Sequence, residues 1–214
     1  MTQQAFADRL ASRLQSAPIS LTLGQIQMLD AYWTLLARWN AKVNLTALPL
    51  NAYHSASIDR LIVEPLAGVS LMPPLPLTWA DVGSGGGSPA IPMKIAMPDA
   101  KLIMVESRTR KAAFLREVVR SLALDAVEVL SERFEVVGAN RPASVDCVTV
   151  RAVRPDGIFA KTALQILKPT GRLLLFGNSQ LNEELPGFKL VNTVPTWTDS
   201  STIRVAVPRG TVIK

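Results

Sequence analysis

The sequence is poor in the residue types that carry most metal and nucleophilic chemistry. Its 214 residues include one cysteine, Cys147, and one histidine, His54. A single cysteine excludes an internal disulfide, and one cysteine with one histidine cannot form a His/Cys zinc site. Carboxylates alone could still hold Mg²⁺. No cluster of ligands points to a metal, so we expect none.

The sequence also lacks a long apolar segment. No stretch without a charged residue exceeds 16 residues, and one stretch of that length, residues 65–80, contains four prolines and cannot form a membrane-spanning helix. The first fourteen residues carry one acid and two bases and no long apolar core, which argues against a secretory signal. We therefore expect a cytoplasmic protein.

What is present is apolar and basic. Hydrophobic residues make up 48% of the chain, which is enough for a sizeable core. The 23 lysines and arginines outnumber the 17 acidic residues and give a net charge of +6. A basic balance favours an anionic partner, of which nucleic acid is the commonest.

Apolar residues follow helical spacing in the N-terminal part of the chain, from Leu21 to Trp39, with Thr22 as a candidate N-cap. We expect this helix to weaken at Asn40 and a second helix to span residues 52–66. A proline-rich joint follows. These features predict an N-terminal helical extension, residues 1–68, before a larger domain, residues 69–214.

From residue 77 onward, short apolar runs alternate with helical segments, which predicts a parallel sheet with helices on both faces. The runs are residues 77–82, 101–106, 127–131, 145–150 and 172–176, and the helices are residues 89–97, 108–123 and 156–168. Two final runs, residues 188–194 and 202–208, flank the polar turn WTDSS and predict an antiparallel ending. The fold class is α/β: a Rossmann-like, doubly wound, mostly parallel seven-stranded sheet with an antiparallel C-terminal strand.

A glycine loop, DVGSGGGSP, follows the first predicted strand and precedes a helix. Gly83 and Gly85 match the dinucleotide pattern G-x-G-x-x-G, but its third position is Ser88. The pattern D-x-G-x-G-x-G fits better because Asp81 stands two residues before the first glycine. With this loop the chain resembles class I methyltransferases, which use S-adenosylmethionine. In that reading the Asp81 carboxylate faces the amino group of the methionine moiety.

Glu106 ends the second predicted strand, 25 residues after Asp81. A carboxylate at this strand tip can accept both hydroxyl groups of a ribose. Nicotinamide-dependent enzymes use an acid in the same way, so Glu106 alone does not choose between the two cofactors.

Five separated motifs resemble, in order, those of the RsmG (GidB) family. The N-terminal part has W-N followed by N-L-T, and the glycine loop reads DVGSGGGSPAIP. The family's [DE]-S-x-x-K-R-x-x-F-L, R-A-E and D-x-[VI]-x-[ST]-R-A stretches match segments after the second, third and fourth strands. These segments lie at residues 39–46, 81–92, 106–115, 133–135 and 146–152.

The resemblance implies a methyltransferase that modifies N7 of a guanosine in 16S ribosomal RNA, acting on that RNA or on the small ribosomal subunit. It implies cofactor contacts at Gly83, Ser88, Phe134, Glu135 and Arg151. Adding Asp81, Gly85 and Glu106 gives the full predicted cofactor site: Asp81, Gly83, Gly85, Ser88, Glu106, Phe134, Glu135 and Arg151. Candidate contacts to RNA phosphate are Arg108, Arg110, Lys111 and Arg154.

Guanine N7 carries a lone pair and no proton, so in-line methyl transfer needs no general base. Positioning should provide most of the catalysis, and Arg151 is the one candidate for a positioning role. Cys147 lies inside an apolar run, which favours a structural role over nucleophilic catalysis. The alternatives are a methyltransferase on another RNA or a small molecule, a non-catalytic RNA-binding or ribosome-assembly protein, and a nicotinamide-dependent oxidoreductase. We expect a monomer.

The chain departs from the family pattern at three places. Before Asp59, the motif H-x-x-D-S has Ala56 in place of its histidine, and His54 lies two residues too early. Phe176 replaces the lysine of a K-G pair after the fifth strand, so one expected cation is missing. Ala90 replaces a glycine in the loop.

Overall fold

The computed structural model describes residues 3–14, 19–178, 185–196 and 201–211. Two helices open the chain, α1 (Gln3–Leu14) and α2 (Leu23–Val43). A helical path then runs from residue 51 to residue 71 in short pieces. They are a 3-10 turn (Asn51–Tyr53), α3 (Ser55–Ile58), a π-helical turn (Asp59–Val63), α4 (Glu64–Gly68) and a second 3-10 turn (Val69–Leu71).

Helix α2 begins where the sequence predicts. The Gln25 amide donates to the Thr22 hydroxyl at 3.2 Å, and the Thr22 amide donates to the Gln25 side chain at 2.9 Å, a capping box. We expected the helix to weaken at Asn40, but it continues to Val43. Asn44 ends it with a left-handed C-cap, at a φ of 46°.

The remaining elements alternate as predicted. The strands are β1 (Thr78–Val82), β2 (Lys101–Val105), β3 (Val127–Leu130), β4 (Val145–Arg151), β5 (Leu167–Asn178), β6 (Phe188–Pro195) and β7 (Ser201–Pro208). The helices are α5 (Ala90–Ala96), α6 (Thr109–Ser121), α7 (Phe134–Asn140) and α8 (Gly157–Ile166). The predicted turn between the last two strands lies, apart from Ser201, outside the described residues.

Helix α7 is the element that periodicity missed. It has seven residues, which is too short for a helical repeat to show. Its Gly138 packs directly on α8, where an added Cβ would lie 2.4 Å from Cγ2 of Thr162. Close packing between two helices therefore stabilises this short segment.

The seven strands form one sheet in the order β3-β2-β1-β4-β5-β7-β6. Neighbours from β3 to β5 are parallel, whereas β7 is antiparallel to β5 and to β6. The predicted fold class is confirmed. The strand order reverses between β1 and β4, and ligands of such sheets bind at the carboxyl ends of the strands beside this switch point.

The two faces of the sheet bury separate apolar clusters. Trp79 of β1 faces a cluster that includes Trp33 and Leu36 of α2, whereas Ala80 faces a cluster that includes Phe159 of α8. The N-terminal helices thus share a core with one face of the sheet. The division at residue 68 stays a prediction. No helix in the described ranges is long and apolar enough to span a membrane.

Candidate functional site

The loop between β1 and α5 is held by backbone geometry that glycine permits. Gly83, Gly85 and Gly87 have φ values of 69°, 49° and 85°. A Cβ on Gly83 would lie 2.5 Å from Cγ2 of Val153, so a side chain there would overlap the segment after β4. The amides of Gly83 and Ser84 donate to the Val105 carbonyl at 2.8 and 3.2 Å, which fixes the loop to the end of β2.

Asp81 lies beneath this loop and is 1% exposed. Its Oδ1 atom accepts a hydrogen bond of 2.6 Å from the Thr149 hydroxyl, its partner in the β1–β4 register. Its Oδ2 atom is buried and has no hydrogen-bond partner among the described residues. Burial raises the pKa of Asp81 to about 6. A buried oxygen without a donor is rare in native proteins and fits a site that binds an ammonium group.

Glu106 follows β2 and is 6% exposed. Its Oε2 atom accepts from the Gly85 amide at 3.0 Å, and its Oε1 atom accepts from the Arg108 amide at 2.8 Å. Each carboxylate oxygen offers two lone pairs. The carboxylate therefore orients the glycine loop and keeps acceptor capacity for two hydroxyl groups.

A cleft runs along the carboxyl edge of the sheet on both sides of Gly83. Its two cavities have volumes of about 440 and about 310 Å³ and share Gly83, Glu106 and Val153. Of the predicted cofactor residues, the larger cavity is lined by Gly83, Gly85, Ser88, Glu106 and Arg151, and the smaller by Gly83, Glu106, Phe134 and Glu135. Asp81 lies under the loop between them.

The N-terminal extension forms one wall of the larger cavity. Residues 45–48 line it, and Asn40 holds this segment in place by accepting hydrogen bonds from the amides of Leu45 and Thr46 at 2.7 and 2.9 Å. The hydroxyl of Tyr32 donates to the Gly86 carbonyl at 2.7 Å, and burial raises the pKa of this phenol. The W-N…N-L-T signature therefore shapes the cleft.

Arg151 ends β4, and its side chain is 9% exposed. Its Nη1 atom donates to the Arg60 carbonyl, and its Nη2 atom lies 3.3 Å from Oε1 of Glu64. The guanidinium carbon lies 5.2 Å from the ring centroid of Phe176, a cation–π contact. Burial lowers the pKa of Arg151 to about 10, which leaves it charged at neutral pH. Glu64 balances the charge of the guanidinium, but the buried Nε and Nη2 atoms form no hydrogen bond within the described residues, so the protein itself does not fill the predicted fork.

The residues after β3 differ in exposure. Phe134 begins α7 and is 8% exposed, and its ring lies 5.5 Å from that of Phe159, so most of it packs in the core. Glu135 is exposed. The Phe134 amide belongs to the first turn of α7, whose amides have no partner within the helix. It is therefore a candidate donor to the edge of an adenine.

The predicted RNA contacts occupy two places near the cleft. Lys111 lines the larger cavity, whereas Arg108 and Arg110 are exposed at the start of α6. Arg154 is exposed beyond β4. Of these four cations Lys111 alone lines the cleft; Arg108 and Arg110 precede it in the chain, and Arg154 follows Val153, which lines both cavities.

The other residues that the sequence analysis singled out do not line the cleft. The Trp39 ring packs 5.8 Å from Phe114, and His54 is exposed before α3. Asp59 pairs with Arg13 at 3.2 Å. Cys147 is fully buried, and burial raises the pKa of its thiol, so it is not a nucleophile.

Sequence reasoning missed Arg60 and Glu64, which lie at the edge of the cleft. Glu64 is 1% exposed, and both of its oxygens accept from Arg60 Nη1, at 2.9 and 2.7 Å. The available signal was the run RLIVEPLAG, residues 60–68, in which Arg60 and Glu64 stand four residues apart among apolar residues, because buried charges are paired.

The chain is similar in sequence to known proteins. The family model of GidB, rRNA small subunit methyltransferase G, matches residues 25–207. A ribosomal RNA small subunit methyltransferase G from Leuconostoc mesenteroides is 34% identical over 189 residues, which cover 86% of this chain and 77% of the relative. Another, from Chloroflexus aggregans, is 38% identical over 158 residues, 73% of this chain and 65% of the relative.

Solved structures share the fold at low identity. A SAM-dependent methyltransferase from Aquifex aeolicus has a TM-score of 0.53 and 17% identity, with 70% of this chain and 92% of that chain covered. A variant of MtNAS in complex with S-adenosylmethionine has a TM-score of 0.60 and 14% identity, with 86% and 76% covered. From the motifs, the cleft and these relatives together, we conclude that the chain belongs to the GidB family of rRNA small subunit methyltransferase G.

Proposed function

We propose that this protein transfers a methyl group from S-adenosylmethionine to N7 of a guanosine in 16S ribosomal RNA. The observation that carries the proposal is the glycine-loop site of a chain belonging to the family of rRNA small subunit methyltransferase G. We further propose that it acts as a monomer in the cytoplasm, on 16S rRNA or the small ribosomal subunit.

The residues present fit the cofactor. The free Oδ2 atom of Asp81 suits the ammonium group of its methionine moiety, and the Glu106 carboxylate suits the ribose hydroxyls. Gly83 lines both cavities of the cleft and has no side chain, and a Cβ there would overlap Val153, which lines both cavities as well. The smaller cavity, with the Phe134 amide at its wall, suits the adenine.

When bound, S-adenosylmethionine would supply an electrophilic methyl group on a sulfonium. The N7 lone pair would bond to the methyl carbon as the carbon–sulfur bond breaks, and S-adenosylhomocysteine would leave with the bonding pair. The protein has no proton to remove, because N7 carries none. The lone histidine and the lone cysteine lie outside the cleft, in keeping with this chemistry. Leu36 and Leu45 give the larger cavity an apolar wall, which offers no hydrogen bonds to water beside the reacting groups.

The test uses S-adenosylmethionine with a labelled methyl group, offered to unmodified small subunits, naked 16S rRNA and tRNA in parallel. We expect label as 7-methylguanosine in one of the two 16S forms. Glu106→Ala should abolish this label with loss of cofactor binding. Glu128→Ala, a carboxylate 47% exposed on β3 and paired with Arg141, should leave it unchanged. Cofactor binding without label in any RNA would indicate a non-catalytic protein or another substrate.

A further inference from the structure

A third cavity opens beside the cofactor cleft. It has a volume of about 220 Å³, lies over the carboxyl ends of β4 and β5, and shares Arg60, Ala152 and Val153 with the larger cavity. Phe176 forms one side of it, and two arginines, Arg60 and Arg204, also line it. A group bound in this cavity would therefore be a direct neighbour of the cofactor site.

Arg60 is held at the boundary of the two cavities. Its Nη1 atom donates to both oxygens of Glu64 and to the Ser201 hydroxyl. In the described part of the chain, its Nε and Nη2 groups make no hydrogen bond, and its side chain is 25% exposed. One nitrogen thus anchors the guanidinium, while the other two remain available to a ligand.

The charges around Arg60 favour an anion. Among the described residues, Glu64 pairs with both Arg60 and Arg151, at 2.7 and 3.3 Å, and Arg204 also lines the cavity, so these side chains together carry a net positive charge. A guanidinium with free donors beside a cavity is suited to bind phosphate. A contact from Arg60 to the base is less favourable, because methylation at N7 makes the base itself positive.

Two departures from the family pattern meet at this cavity. Phe176 stands where the K-G pair has its lysine, and Arg60 follows Asp59 where the H-x-x-D-S motif has its serine. Both residues line the same cavity. The cation absent from the end of β5 is therefore matched by a cation on the helical path facing it.

We propose that Arg60 binds the phosphate of the target nucleotide in this cavity and thereby positions its base at the cofactor cleft. The inference rests on the proposed function, since it assumes an RNA substrate. Arg60 then differs in role from Arg108 and Arg110, which are exposed at the start of α6 and could bind phosphates anywhere along the RNA.

The first test measures kcat/KM on small subunits over a range of salt concentrations. Each phosphate contact contributes a slope of about 0.7 to 0.9 in log kcat/KM against log salt, because counterions are released. Arg60→Met should lower the slope by about this amount and reduce kcat/KM roughly tenfold to hundredfold at low salt, as expected for one charge-assisted hydrogen bond. Its affinity for S-adenosylmethionine should stay unchanged.

Arg141→Met is the matched control. Arg141 also pairs with a glutamate, Glu128, at 2.6 Å, but it follows α7 and lines none of the three cavities. It should retain the slope and kcat/KM of the unaltered protein. If Arg60→Met has the same slope as the unaltered protein, a purely structural role for Arg60 replaces the proposal.

The second test uses the unaltered protein, so it does not depend on the folding of a variant. Single phosphates around the labelled guanosine are replaced by neutral methylphosphonates in reconstituted subunits. We expect one replacement, at the target nucleotide, to reduce methylation roughly tenfold to hundredfold, the same factor as Arg60→Met. If no replacement there has an effect, the inference fails while the proposed function stands. If the unaltered protein labels no guanosine in natural subunits, the proposed function itself fails.

Discussion

Replacing Gly83 with alanine tests whether the glycine loop is the cofactor cradle. A left-handed backbone costs an ordinary residue roughly 1–2 kcal/mol. The new Cβ would also lie 2.5 Å from Cγ2 of Val153, and such overpacking typically costs about 1–3 kcal/mol. We expect Gly83→Ala to lower the free energy of unfolding by about 2–4 kcal/mol. The same displacement should weaken S-adenosylmethionine binding by at least about tenfold, equivalent to roughly 1.4 kcal/mol.

The assay combines chemical denaturation with calorimetric titration of S-adenosylmethionine. Adding Val153→Ala to Gly83→Ala removes the overlapping methyl group but keeps the backbone strain, so it should recover about half of the lost stability. Gly157→Ala is the matched control, because a Cβ at this first residue of α8 meets nothing within 4 Å. It should change stability by less than about 0.5 kcal/mol. Unaltered cofactor affinity in Gly83→Ala would refute the assignment of the loop.

Three further predictions concern buried groups near or below the cleft. Asp81→Asn should weaken S-adenosylmethionine binding roughly tenfold, as expected for one charge-assisted hydrogen bond, and titration calorimetry would show this. Burial raises the pKa of Asp81 to about 6, so cofactor affinity should fall as the pH drops below 6. The contribution of Asp81 to folding stability should instead rise as the pH falls from 6 to 3.8, because the folded protein then binds the proton more tightly than the unfolded chain does. A flat affinity profile would exclude the Asp81 contact. Arg151→Ala should reduce turnover, and unchanged turnover would remove Arg151 from the site. Because Glu64 loses one of its two guanidinium partners, the same variant should lower the unfolding free energy by about 1–3 kcal/mol, measured by urea denaturation. Cys147→Ala should keep full methyl transfer and lose about 1 kcal/mol of stability, and any loss of turnover at equal folding would contradict the inert role of this thiol.

Much of the fold could be predicted because its signals are local. The capping box of Thr22 and Gln25, the apolar runs of the strands and the glycines before α5 each lie within a few consecutive residues. Helix α7 was missed because seven residues hold too little periodicity, and its packing on α8 through Gly138 is a contact distant in sequence. The antiparallel ending was predicted, but the position of β7 between β5 and β6 was not.

The candidate site, like the fold, was predictable where its signals are local and was missed where it depends on contacts distant in sequence. Asp81, Gly83 and Glu106 were predicted because the carboxyl ends of neighbouring parallel strands meet at one edge of the sheet. The N-terminal wall was missed, since the packing of α2 and the following segment over the glycine loop has no local signature. The ion pair between Arg151 and Glu64 was also missed, because the two residues are 87 positions apart in the sequence.

The sequence by itself determined the class of sheet, the cofactor loop and the absence of a histidine or cysteine pair for catalysis, because backbone conformation and residue chemistry are properties of short segments. The tertiary structure alone decided which distant groups meet. Thr149 donates to Asp81 across 68 residues, and the Ser201 hydroxyl donates to Glu64 across 137. These contacts depend on strand register and on how the N-terminal helices pack over the sheet, and no local pattern specifies either.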